Sequence, residues 1–131
     1  MSVITIAKPQ IEIDASIKSL VQEETERCTI VHCRLYTNYL NRVRIWPETY
    51  LVEEDGNRKK MIKAFNISLM PYWTAHRIIN GQIRFSLVFE GLSRNCDQFF
   101  LLEDIPEPKG FYSNKIHRNI TDVYQAEILI K

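Results

Sequence analysis

Glycine is scarce in this chain. Only four of the 131 residues are glycine, and none stands in a G-x-G-x-x-G or G-x-x-x-x-G-K arrangement. A P-loop or dinucleotide fingerprint is therefore excluded. Histidine is equally thin: His32, His76 and His117 stand far apart, with no H-x-H, no H-E-x-x-H and no C-x-x-C beside them. The sequence thus holds no local metal-ligand spacing, and neither a metal nor another cofactor is expected. Net charge is nearly absent, 17 Lys plus Arg against 16 Asp plus Glu. No global field recruits nucleic acid or an anionic membrane surface. No apolar run approaches the ~20 residues that a membrane helix needs. The opening Met1 to Ile6 lacks the charged start and apolar stretch of a signal peptide, and Pro9 follows soon after. The expectation is a cytoplasmic protein whose residues 1–9 form a loosely ordered leader.

Three cysteines, Cys28, Cys33 and Cys96, are an odd number without a secretion signal. That combination favours reduced, structural thiols. Cys28 and Cys33, five apart in a strand, point to opposite faces, whereas Cys33 and Cys96 could meet across a sheet. The triplets at Asn66 and Asn119 match a glycosylation pattern that has no meaning without secretion.

What is present is alternation. Ile11, Ile13, Ala15 and Ile17 alternate with Glu12, Asp14, Ser16 and Lys18 between Gln10 and Val21. Cys28 to Thr37, Arg42 to Trp46, Thr49 to Glu53, Lys59 to Phe65, Gln82 to Glu90 and Gln98 to Glu103 read as further strands, with Val123 to Ile130 as the last. Asp55-Gly56 is the strongest hairpin signal, and Asn80-Gly81 marks another turn. Asn66 to Gly81 is irregular, with room for one helical turn, and Ile105 to Gly110 is a loop. Seven or eight short strands without strand–helix alternation predict an all-β fold, an antiparallel sandwich or barrel making one domain over residues 1–131.

Several stretches also carry a resemblance: Thr29-Ile30-Val31-His32, Arg44-Ile45-Trp46-Pro47-Glu48-Thr49-Tyr50-Leu51, Phe89-Glu90-Gly91-Leu92, Phe99 to Glu103, and Ile116-His117-Arg118-Asn119. In this order they resemble a group of uncharacterised bacterial immunoglobulin-like β-sandwich domains, from about Val21 onward. The resemblance implies a sandwich rather than a barrel. It implies no activity and transfers no catalytic residue.

The chemistry-bearing residues favour structural roles. His32 and Cys33 point to opposite faces of a strand, so Cys33 reads as a small buried hydrophobe. Asp97 beside Cys96 disfavours a thiolate there. No G-x-S-x-G elbow occurs, and no serine sits in an activating arrangement. Asp97, Glu103, Asp104 and Glu107 read as a solvated acidic rim rather than a Ca²⁺ site. Arg34, Arg42, Arg44, Arg58, Lys59 and Lys60, with Tyr36 and Tyr39, supply cations beside aromatics as single-strand binders do. Cross-strand pairing of Arg58 to Lys60 with Glu53 to Asp55 accounts for those runs without nucleic acid. His117-Arg118-Asn119 reads as a set that satisfies loop carbonyls.

The aromatics stand above this background. Trp46, Tyr50, Tyr72 and Trp73, with Arg77, form the candidate ligand or partner site. Trp46 is read first as a core residue between two sheets, whereas Trp73 and Phe111-Tyr112 are open to either role. The expected function is a non-catalytic binding or protein-interaction module, self-associating through a sheet edge such as the last strand. The alternative is a small barrel or open sandwich holding a carbohydrate or an apolar small molecule. A third reading is a metal-dependent hydrolase using His32, His76 or His117.

Overall fold

The computed structural model describes residues 28–38 and 42–131 of the chain. The expected leader and the Gln10 to Val21 strand lie outside these residues. The described residues form twelve strands: β1 (Cys28–Tyr36), β2 (Arg42–Ile45), β3 (Thr49–Glu53), β4 (Arg58–Phe65), β5 (Ser68–Leu69), β6 (Thr74–Ala75), β7 (Gln82–Glu90), β8 (Gln98–Glu103), β9 (Phe111–Tyr112), β10 (Ile116–His117), β11 (Val123–Glu127) and β12 (Leu129–Ile130). The all-β expectation holds, but the sandwich does not. Eight strands run in one continuous ladder, β11-β1-β7-β4-β3-β8-β9-β12, with β10 added beside β8. This ladder curls 278° round an axis, a nearly closed barrel. A separate three-stranded sheet, β5-β2-β6, stands beside it. The immunoglobulin-like resemblance fails on the same point, because the described strands form one nearly closed sheet and a small separate one in place of the two sheets of a sandwich. Nor is the pairing wholly antiparallel: β1 pairs β11, and β2 pairs β5, in parallel.

Alternation shows which residues are inside but not which sheet closes on which. Thr29, Val31, Cys33 and Leu35 of β1 are buried, as are Ile83, Phe85, Leu87 and Phe89 of β7. Leu51 from β3, Phe99 and Leu101 from β8, Phe111, Tyr124, Ala126 and Ile128 belong to the same cluster. Phe85 stacks on Phe111 with ring centroids 6.1 Å apart, and Phe99 meets Tyr124 edge-on at 4.9 Å. Side chains therefore fill the barrel interior, as in other small barrels. Each large side chain buried there contributes about 1.5–3 kcal/mol.

The last strand closes most of the seam. Residues 123–127 pair with β1, and residues 129–130 pair with β9 at the opposite end of the ladder. At the crossing, Ile128 N–H donates to the Arg34 carbonyl (2.8 Å), and Lys131 N–H donates to that of Gly110 (3.0 Å). A single extended segment thus ties the first edge to the last, where the sequence suggested one uninterrupted strand.

The two expected turns are present. Gly56 takes a φ of +93°, and its N–H donates to the Glu53 carbonyl at 2.8 Å. Asn80 and Gly81, both at positive φ (55° and 71°), let Ile79 and Gln82 exchange two backbone bonds, as a two-residue hairpin requires. The stretch from Asn66 to Gly81 holds no helical turn. It carries β5 and β6 and folds back onto β2.

A groove between the small sheet and the barrel rim

Two buried carboxylates brace opposite ends of the barrel. Glu53 and Glu103 lie on the inward faces of β3 and β8, only 2% and 3% exposed. Glu53 accepts from the Ser93 N–H (2.7 Å) and hydroxyl (2.8 Å), fastening the β7–β8 loop. Glu103 accepts from the backbone N–H of Trp46 and of Phe111, both at 2.9 Å. It thereby joins the β2–β3 turn to the start of β9. Burial pushes the Glu103 carboxyl above its ordinary value, against the opposing effect of its two N–H donors and of Arg44. The residue belongs to the interior and not to the solvated acidic rim expected for it. Its presumed companions are dispersed: Asp104 pairs with Arg58 at 2.8 Å, and Glu107 with Arg44 at 3.7 Å. Among the described residues, no group of three or more His, Cys, Asp or Glu is placed to hold a metal ion.

Above Glu103 lies a cleft of about 310 Å³ between β2 and the barrel rim. Val43, Trp46 and Trp73 line one side, and Ile105, Pro108 and Phe111 the other. Trp73 is 48% exposed. The Arg44 guanidinium carbon lies 4.2 Å from its ring centroid, and that of Arg42 lies 5.6 Å away. Arg44 is held further by donating to the Pro71 carbonyl at 3.1 Å. Arginines at i and i+2 of one strand share a face, so β2 presents both to the same ring. On the far side, Lys109 adopts a φ of +71°. Gly110 follows, packed so closely that an added Cβ would stand 2.9 Å from the Glu103 carbonyl oxygen. Only glycine passes there without displacing backbone.

The structure brings two of the five candidate residues together. Trp46 and Trp73 share the groove, and Trp46 is half-buried there rather than a core residue between two sheets. Tyr50 instead lies under Arg58, 5.0 Å from ring centroid to guanidinium carbon. Tyr72 is 73% exposed, and Arg77 lines a different cleft with His76. Sequence reasoning missed Arg42 and Arg44 as partners of Trp73, although their spacing on a strand carried the signal.

No protein-family model, curated protein or solved structure matches this chain. The groove must be read from its own chemistry.

Other assignments divide. Cys33 and Cys96 are free, buried thiols. Burial pushes the Cys33 thiol up to about 12, and burial first, then Glu53, raises that of Cys96. Arg118 does gather loop carbonyls, donating to Ser93, Arg94 and Cys96 at 2.6, 3.4 and 3.3 Å, and it also pairs with Asp122. Arg58 pairs with Asp104 and not with the Glu53 to Asp55 run. Tyr39 lies outside the described residues. One contact was not foreseen: His32 Nδ1 and Ser86 Oγ, directly opposite on β1 and β7, are 2.7 Å apart. No carboxylate bonds this imidazole among the described residues, so the pair lacks the third group that orients an activated serine. No helix of the described residues is long and apolar enough to cross a membrane.

Proposed function

We propose that this domain is a non-catalytic binding module of the cytoplasm, taking a small ligand with an apolar face, of which a sugar ring is the model, in the groove at Trp73. The supporting observation is the ring itself, half-exposed at the mouth of a cleft and held in place by two arginines. A fixed aromatic face offers contact area at little entropic cost, and the flanking cations and Glu107 offer hydrogen bonds to hydroxyls. The cleft's size suits one or two sugar units. The buried free thiols Cys33 and Cys96 suit a reducing compartment.

A self-associating edge has less support, because the segment expected to supply it is engaged on β1 by its first half and on β9 by its second. Calorimetric titration with a panel of neutral and acidic mono- and disaccharides tests the reading. Binding by the intact protein that falls at least tenfold in Trp73→Ala supports it. Binding that survives the substitution, or none across the panel, overturns it.

A further inference from the structure

A second basic region lies on the outer face of the barrel and shares no lining residue with the groove. Arg34 on β1 and Arg84 on β7 are directly opposite in the antiparallel ladder. Like charges at such a position, with Cα atoms about 4.5–5.5 Å apart, repel unless something neutralises them. The described residues do little to neutralise them. The Nε of Arg34 is buried with no hydrogen-bond partner. Among the described residues, the Arg84 side chain donates only to the neutral Gln82 side chain, at 3.1 Å. Glu127 on β11 is in register with Arg34, yet no ion pair joins the two.

These arginines line a cleft of about 360 Å³ together with His32, Phe65, Asn66 and Gln125. Asn66 and Arg84 also line the adjoining cleft that contains Arg77 and His76, where the His76 Nε2 is buried and unpartnered. The region therefore gathers three guanidiniums, two imidazoles and four side-chain amides, with Glu127 as the neighbouring acid among the described residues. Phe65, 49% exposed, supplies an apolar wall.

We propose that this face binds a phosphate monoester, its dianion set between Arg34 and Arg84 and its organic part against Phe65. Guanidinium forks match phosphate oxygens in geometry as well as charge. A dianion turns the cross-strand repulsion into two attractions, and Gln125 offers a neutral donor beside it, while the Asn66 amide donates to the Arg84 carbonyl at 2.7 Å and keeps one N–H for the ligand. This site stands independently of the saccharide reading.

The test uses the whole chain in sodium chloride, phosphate, sulfate and phenyl phosphate at matched ionic strength, so that general screening is constant. Phenyl phosphate is expected to raise Tm above the chloride value through linkage, and to bind more tightly than inorganic phosphate or sulfate by calorimetry. Arg34→Gln and Arg84→Gln are each expected to have a higher Tm than the natural protein in chloride, with at least a tenfold loss of phenyl phosphate affinity. Arg34→Lys keeps the charge and checks for misfolding: it is expected to lose most of that affinity with the chloride Tm unchanged. A natural-protein Tm indifferent to the anion overturns the proposal, as does affinity retained in the Gln variants. Equal affinity for phenyl phosphate and inorganic phosphate overturns the monoester and leaves a bare anion as the ligand.

Discussion

The molecule treats its arginines in two opposite ways. In the groove, Arg44 lies over Trp73, donates to a backbone carbonyl and pairs with Glu107. On the outer face of β1 and β7, Arg34 and Arg84 confront each other, with no acid among the described residues bonded to either. The first arrangement uses its cations to hold an aromatic ring in position. The second sets two cations against each other across the ladder, at a cost in stability that the proposed anion would remove. The same residue type thus fixes an aromatic ring in one place and opposes its own charge across two strands in the other.

The contrast is most severely broken through Glu103, which supports the groove from beneath. Glu103→Ala strips acceptors from the buried N–H groups of Trp46 and Phe111, which costs about 3 kcal/mol in chemical denaturation. No comparable loss is expected from any single substitution at Arg34 or Arg84. Glu103 also sets a pH dependence. Its folded-state carboxyl titrates above the unfolded value, so its contribution is fully present below that unfolded value and is lost as pH rises through the folded one. Glu103→Gln removes this slope from a plot of stability against pH, and an unchanged slope would show that another group sets it.

Gly110→Ala acts on the same wall by pressing a methyl group against the Glu103 carbonyl. A loss of about 1–3 kcal/mol is expected, with weakened saccharide binding. Arg44→Ala removes the stack, the carbonyl bond and a partly exposed ion pair, which together contribute about 1–2 kcal/mol. A double-mutant cycle with Trp73→Ala should place about 1 kcal/mol of that in the arginine–ring contact. The smallest effect has the opposite sign: Arg84→Gln raises stability by about 0.5 kcal/mol in chloride, the relief of one like-charged cross-strand pair. A loss at Arg84 as large as that at Arg44 would erase the distinction between the two regions.

Period-two patterning carried much of the fold. The buried sides of β1 and β7 were legible residue by residue, and so were the Asp55-Gly56 and Asn80-Gly81 turns. Sheet closure was not legible, because Val123 to Ile130 alternates smoothly and nothing local records that it changes partners at Ile128. Alternation reports which side of a strand is dry, and a sandwich and a barrel dry the same side. The short strands β5, β6, β9 and β10 escaped notice because two residues cannot display a period. At the site, Trp73 was singled out from its surroundings in sequence and lines the groove, but its association with Tyr72 and Arg77 rested on closeness in sequence. Its actual neighbours, Arg42 and Arg44, come from a strand about thirty residues earlier. The inward turn of Glu103 was hidden by Asp104 and Glu107, whose company made it look like part of a solvated cluster. The Arg34–Arg84 opposition depends on strand register, which no single strand reveals.

The most direct test of the contrast reads Trp73 alone. Trp46→Phe leaves it as the only tryptophan of the two in the sequence, and acrylamide quenching can then be followed with and without each ligand. The account predicts a red-shifted, readily quenched emission that a saccharide of the panel protects and phenyl phosphate does not. A blue-shifted, poorly quenched Trp73, or protection by phenyl phosphate with none by any saccharide, would contradict it.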